Sequence, residues 1–241
     1  METKLFVATP CFGGQVFADY MMSIMELERA CREQNMQFEI FLLGKDALIT
    51  RARNVCVKSF LDTNFTHMLF IDADMSFSPA NVFRLLDFNK EVCCGNCPTK
   101  GIEWHNLIGQ NCQTVQECEA KTLRMAYNPT TNTDNQDGLV EVTNAGTGFM
   151  LIQRKVFYLM MDAYPSLKFK PNFMPNFSPN SIPDGQNYYA FFDSMIDPDN
   201  KIYLSEDYAF CKRWARLGGK IYLDAHSTIV HIGNYEYGKH Q

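Results

Sequence analysis

Two carboxylates stand one residue apart in Asp72-Ala73-Asp74, directly after the apolar run His67-Met68-Leu69-Phe70-Ile71. Aspartates at i and i+2 just past a strand can bring both carboxylates near one point, because the chain is leaving its pleat. Hard oxygen ligands suit Mg2+ or Mn2+, and an ion held by only one or two protein carboxylates keeps positions open for diphosphate oxygens. The alternative is a turn whose Asp side chains bond nearby backbone N–H groups. Three other places carry chemistry. Arg51-Ala52-Arg53-Asn54 offers guanidinium groups, natural partners of phosphate or a base edge, against the plainer reading of a solvated helix face. Ser205-Glu206-Asp207 puts two acids in the first turn of a helix, where the dipole favours anions, although a well-capped helix has the same look. His231 follows an apolar strand near the C-terminus, where a histidine is structural more often than ligating.

Alternating strands and helices must position these groups. Lys4 to Ala8, Phe38 to Leu43, His67 to Ile71 and Val92 to Cys94 read as strands. Between them, Val16 to Gln34 has apolar residues at helical spacing, Ala47 to Leu61 reads as a helix, and Ser78-Pro79 starts a short one to Leu86. Strands separated by helices predict an α/β fold with a mostly parallel sheet flanked by helices. Ligands collect at the carboxyl ends of such strands, where Thr9, Gly44 and Asp72 to Asp74 fall. The second half predicts a smaller mixed region. Asn106 to Asp137 is polar and short on periodicity, and Pro165 to Asp184 reads as a long loop. Tyr188 to Phe192 and Lys201 to Leu204 are expected to pair. Ser205 caps a helix to about Leu217, and Lys220 to Leu223 and Ser227 to His231 are final strands.

Bulk properties narrow the class. The chain has 241 residues, 46% of them hydrophobic, which suffices for a real core as one domain or a domain plus an appendage. A net charge of −5 argues against nucleic-acid or anionic-membrane binding through bulk charge. Leu5-Phe6-Val7-Ala8 is too short for an export signal, no stretch reaches the ~18 apolar residues of a membrane span, and the expected location is cytoplasmic. Nine cysteines, an odd number, read as reduced thiols. Cys94 and Cys97 followed by Cys112 and Cys118 have the pairing of a zinc site, but the second spacing is wide, and buried small hydrophobes are the preferred reading.

The order of these segments resembles the GT-A class of nucleotide-sugar-dependent glycosyltransferases, particularly its compact family-two-like and viral or phage members such as the chlorovirus capsid-glycosylating transferases. The likeness is carried by Thr9-Pro10, "ARN" at Ala52 to Asn54, "FIDADM" around Asp72 and Asp74, "GTGFML" from Gly146, "LSEDYAFCKRW" from Leu204 and "VHIG" from Val230. It spans Lys4 to Gly233, one domain with a nucleotide-binding half (1–100) and an acceptor and catalytic half (101–241).

The resemblance implies a metal-dependent hexosyl- or deoxyhexosyltransferase, with Mn2+ or Mg2+ as cofactor, a UDP-sugar donor and a glycan or glycoprotein acceptor. It implies that Asp74, helped by Asp72, and His231 hold the metal, with His226 the competing histidine. Thr9, Pro10, Arg51, Arg53, Asn54, Asp72 and Ala73 would line the nucleotide pocket. Asp207 would be the general base of an inverting reaction, with Glu206 as its substitute, and Gly146-Thr147-Gly148 would sit under the sugar. A retaining transferase, a sugar-1-phosphate nucleotidyltransferase and a non-catalytic carbohydrate-binding module are the alternatives. The nucleotidyltransferase would need a basic glycine-rich loop after the first strand, and Cys11-Phe12-Gly13-Gly14 has no base within six residues. Pro98-Thr99-Lys100 has no assigned chemistry; Lys100 reads as a solvated lysine, with an approach to a phosphate as the alternative.

Overall fold

Side chains of alternating direction along the first and third strands split the core into two layers. The computed structural model describes residues 2–130, 137–171 and 188–239. The first half holds strands β1 (Lys4–Cys11), β2 (Gln37–Gly44), β3 (His67–Ile71), β4 (Met75–Ser76), β5 (Val92–Gly95) and β6 (Pro98–Ile102), with helices α1 (Ala18–Glu33), α2 (Ile49–Leu61) and α3 (Pro79–Asp87). After these come α4 (Val115–Thr122), β7 (Leu123–Met125), β8 (Tyr127–Pro129), β9 (Leu139–Ala145), β10 (Phe149–Gln153) and α5 (Arg154–Ala163). The short strands β11 (Lys168–Phe169), β12 (Tyr188–Tyr189), β13 (Met195–Ile196) and β14 (Tyr203–Leu204) lead to α6 (Glu206–Arg216). The chain then closes with β15 (Ile221–Asp224), β16 (Val230–Ile232) and β17 (Glu236–Tyr237).

The central sheet has the order β2-β1-β3-β10-β5-β15-β9-β8. β1 is parallel to β2 and β3, and β5 to β15. β10 is antiparallel to both β3 and β5, and β9 to both β15 and β8, so only these two strands run against the rest. Leu5, Val7, Leu69 and Ile71 face one way, onto Tyr20, Ile24 and Leu27 of α1 and Val82 and Leu85 of α3. Phe6, Ala8, Met68 and Phe70 face the other way, onto α2, α5 and α6. This period-two division explains the continuous apolar runs of a sheet covered on both sides. Phe70 is fully buried, with its ring edge-on to Phe192 at 5.1 Å, and truncation of such a ring costs about 3–5 kcal/mol.

A smaller sheet of β17, β16 and β4 matters for the site. β4 follows Asp74 immediately, and β16 pairs antiparallel with it, His231 opposite Met75. The Ile232 N–H donates to the Asp74 carbonyl at 2.8 Å, so the C-terminal strand is fastened directly to the aspartate turn.

Two sequence expectations are corrected here. Tyr188 to Phe192 does not pair with Lys201 to Leu204: β12 pairs with β11, and β13 with β14. Phe191 and Phe192 are buried, Phe192 stacked on Phe210 at 4.5 Å, which draws that run into the core and out of a hairpin. The polar stretch Asn106 to Asp137 is also more ordered than its lack of periodicity suggests, since it contains α4, β7 and β8. The Thr114 hydroxyl accepts from the Glu117 N–H and caps α4. Residues 131–136 of that stretch, and 172–184 of the loop expected from Pro165 to Asp184, lie outside the described residues. Among the described residues no helix is long and apolar enough to cross a membrane.

Candidate active site

The carboxyl ends of β1 and β3 and the first turn of α2 enclose a cavity of about 570 Å³. Its walls include Pro10, Phe12, Ile49, Arg53 and the Asp72-Ala73-Asp74 turn. That turn is tied at both flanks: the Asp72 N–H donates to the Gly148 carbonyl at 3.0 Å, and the Phe17 N–H, just before α1, donates to the Ala73 carbonyl at 3.0 Å.

The two aspartates have different partners. Asp72 Oδ1 accepts from Arg53 Nη2 at 3.0 Å, and Arg53 Nε lies 3.4 Å from Glu206 Oε1. Arg53 therefore links the end of β3 to the start of α6. Its side chain is only 5% exposed, and its guanidinium lies over the Phe70 ring at 5.3 Å. Burial works against the charge, but Asp72, Glu206 and Asp207 outweigh it and keep Arg53 protonated. Nη1 is buried without a hydrogen-bond partner in the protein.

Asp74 turns the other way. Lys100 Nζ is 2.5 Å from its Oδ2, and His231 Nε2 is 3.5 Å from its Oδ1. Burial pushes the Asp74 carboxyl up, but His231 and Lys100 pull it down further, to about 2. His231 Nδ1 is 2.9 Å from the Pro98 carbonyl, which only accepts, so Nδ1 carries the proton and Nε2 is the nitrogen presented to Asp74. A histidine held through one nitrogen with the other aimed at a carboxylate is the orientation a metal ligand requires. Of this donor pair the carboxylate suits Mg2+ or Mn2+, while the imidazole also suits later divalent metals. Among the described residues no group of three or more His, Cys, Asp or Glu side chains is placed to hold a metal. Asp74 and His231 are side chains that could hold a divalent ion here, which would need its remaining ligands from outside this pair. Cys94 and Cys97 are buried, and Cys112 and Cys118 half-buried.

Asp207 lies in the first turn of α6. Ser205 occupies the N-cap position, but its hydroxyl donates to Asp207 Oδ1 and caps no backbone N–H. The Tyr208 N–H donates to the same oxygen at 2.8 Å. Oδ2 is turned to the glycine turn, where a Cβ on Gly146 would stand 3.6 Å away. A Cβ on Gly148 would lie 3.5 Å from Asp72 Oδ2 and 2.6 Å from Met75 Cε. The absent side chains keep this floor open between Asp72 and Asp207. Two residues of chain span at most ~7 Å, so the two carboxylates flank one short bridge. Thr147, within it, is buried with its hydroxyl unpartnered. Beyond Asp207 a second cavity of about 600 Å³ runs along α6, lined by Asn144, Tyr203, Leu204 and Tyr208 among others.

Several expected residues stand elsewhere. Thr9 is fully buried with its hydroxyl 2.6 Å from Tyr20 Oη, so Pro10, not Thr9, borders the cavity. Asn54 gives its amide oxygen to the Phe192 N–H at 2.9 Å and braces α2. Arg51 makes a two-pronged pair with Asp46, at 2.8 and 2.7 Å. His226 lies against Gly138, where a Cβ would meet its ring at 2.6 Å, whereas His231 is the histidine that reaches Asp74. Lys100 is corrected from a solvated lysine to the partner of Asp74. Phe12, 77% exposed on the turn after β1, also borders the cavity and has no counterpart among the residues expected from the sequence.

No protein-family model matches the sequence, and no curated protein matches it. Solved structures do. GalNAc-T7 with UDP, GalNAc and Mn2+ superposes with a TM-score of 0.50 at 11% identity, covering 97% of this chain and 43% of that one. A197 from STIV gives 0.49 at 13% identity, covering 96% and 86%. The catalytic domain of Drosophila β1,4-galactosyltransferase 7, in complex with xylobiose, gives 0.48 at 14% identity, covering 96% and 71%. The chain has a GT-A-like nucleotide-sugar glycosyltransferase fold.

Proposed function

We propose that this protein is a metal-dependent, inverting glycosyltransferase that moves a sugar from a UDP-sugar to an acceptor hydroxyl. The observation that carries the reading is the convergence around Arg53: one buried guanidinium joins the carboxylate at the end of β3 to the first turn of α6. Arg53 and Asp72 line the cavity at the end of β3, and the glycine turn lies between Asp72 and Asp207.

In this reading Arg53 and Pro10 border the nucleoside, with residues 1–100 as the nucleotide-binding half and 101–241 as the acceptor half. Asp74 and His231 would hold Mn2+ or Mg2+, which would neutralise charge on the leaving diphosphate. Asp72 orients Arg53 and faces the sugar side of the turn. The acceptor hydroxyl oxygen attacks the anomeric carbon, the bond from that carbon to the phosphate oxygen breaks, and the hydroxyl proton passes to Asp207 Oδ2. Oδ1 is already occupied by Ser205 and the Tyr208 N–H, which leaves Oδ2 as the base. Glu206 is tied to Arg53, so its role is to hold the guanidinium and not to take the proton. The remainder of the acceptor extends into the cavity along α6.

Asp207→Asn tests this. It keeps the shape while removing the proton acceptor, and loss of a general base costs ~10² to 10⁴ in rate. UDP affinity should stay within a few-fold, and transfer from a panel of UDP-sugars should nearly vanish. Undiminished transfer by Asp207→Asn would remove the inverting mechanism and favour a retaining reaction, in which the proton goes to the leaving phosphate.

A further inference from the structure

Pro98-Thr99-Lys100, the segment without assigned chemistry in the sequence, arrives at the same carboxylate that would hold the metal. Lys100 reaches Asp74 across Gly233: a Cβ on Gly233 would stand 3.2 Å from Lys100 Cδ and 3.5 Å from Cε. Gly233 does not have the positive φ that calls for glycine, so it is the path of the lysine stem, not the backbone conformation, that needs the missing side chain. The strand bearing Lys100 is fixed nearby, since the Pro98 carbonyl accepts from His231 Nδ1. The ammonium itself is not locked in. The Lys100 side chain is 38% exposed and that of Asp74 24%, so the pair is open to solvent.

An ordinary half-exposed ion pair would contribute little and would need no clearance from a neighbouring glycine. This one has a histidine at one carboxylate oxygen and a cation already on the other. A divalent ion entering here must displace the ammonium, because two cations a few ångströms apart repel. Lysine is a compact point charge suited to phosphate oxygens on a flexible stem.

We propose that Lys100 is a two-position diphosphate clamp: it neutralises Asp74 in the free protein and transfers to the β-phosphate of the donor when the metal takes Asp74. The inference rests on the reading of Asp74 as metal ligand. It makes Lys100 a positioning residue for the leaving group and predicts that metal and lysine compete when no nucleotide is present.

The test compares Lys100→Met, Lys100→Arg and Gly233→Ala with the unaltered chain. Mn2+ binding without nucleotide is read from the free-ion EPR signal. UDP and uridine binding are read by calorimetry, with Mn2+ and again in EDTA. Lys100→Met should bind Mn2+ alone more tightly and UDP in saturating Mn2+ ~10-fold more weakly, about what one charge-assisted hydrogen bond supplies. Uridine, which lacks the β-phosphate, should not change. Lys100→Arg should retain UDP, and Gly233→Ala should shift UDP affinity in the direction of Lys100→Met. UDP affinity within two-fold of the unaltered chain in Lys100→Met, or an equal loss for uridine, overturns the clamp. If UDP binds equally in EDTA, the metal role of Asp74 fails instead, and the UDP-against-uridine comparison still decides Lys100.

Discussion

Replacing Arg53 with methionine removes the charge that joins the two halves of the site while keeping most of the apolar stem over Phe70. The structure sets the magnitude. Arg53 is 5% exposed, Glu206 17% and Asp72 30%, measured on side chains. Breaking a buried ion pair by deleting one partner costs about 3–5 kcal/mol, because the other charge is left uncompensated. Asp72 and Glu206 keep some access to water, which places this case near the lower end, at about 3 kcal/mol. For a chain of this length each kcal/mol moves the melting temperature by about 2–4 °C, so calorimetry should record a drop of roughly 6–12 °C. Urea unfolding should show a lower midpoint at unchanged slope. In a double-mutant cycle, Glu206→Gln should cost much less in the Arg53→Met background than alone, with a coupling of about 1–3 kcal/mol. UDP affinity should fall in the same variant, because Arg53 Nη1 is the donor left without a partner in the protein. A stability loss under 1 kcal/mol with additive effects would refute the claim that Arg53 is the hub. Intact UDP binding would refute its place in the nucleotide pocket.

Three further outcomes are expected. Phe12→Ala should weaken UDP and uridine alike by about 1–3 kcal/mol, the worth of one aromatic–base stack, and leave pyrophosphate binding untouched; unchanged uridine affinity would show that Phe12 does not stack on the base. Tyr203→Ala, at a side chain 71% exposed in the cavity along α6, should lower transfer to glycan acceptors and spare UDP-sugar hydrolysis; equal loss of both would place Tyr203 outside acceptor binding. Iodoacetamide at pH 8 should modify only Cys112 and Cys118 in the native protein, because the other seven thiols are buried out of the reagent's reach, Cys31 being pushed up to about 11 and Cys93 and Cys211 to about 12 as well; mass spectrometry showing a third adduct before unfolding would contradict the packing of these thiols.

Much of the fold was legible because its strands are buried on both faces, so His67 to Ile71 announces itself as a continuous apolar run. The helices of the first half were legible from their spacing. Short strands were not. Pro98 to Ile102 and Leu123 to Met125 carry only a few residues each, and their pairing is set by distant partners, not by local pattern. Asp72, Asp74, Glu206, Asp207 and His231 stood out by residue type at strand and helix ends, and four of them share ion pairs within the site. The assignments within Arg51 to Asn54 were not legible. All three polar residues lie on one helix, and only the direction of each side chain separates Arg53, facing the cavity, from Asn54, bonded to Phe192, and Arg51, bonded to Asp46. Lys100 was missed for a related reason: nothing near it in the chain indicates that Asp74, 26 residues away, lies within reach across Gly233.

Calorimetric titration of UDP with and without Mn2+, on the unaltered protein and on Asp74→Ala, tests the central claim most directly. The account predicts clear binding in Mn2+, a large loss of affinity in excess EDTA, and an Asp74→Ala variant whose weak binding no longer responds to the metal. Equal UDP affinity in Mn2+ and EDTA, or no UDP binding under either condition, would contradict a metal-dependent nucleotide-sugar site at the end of β3.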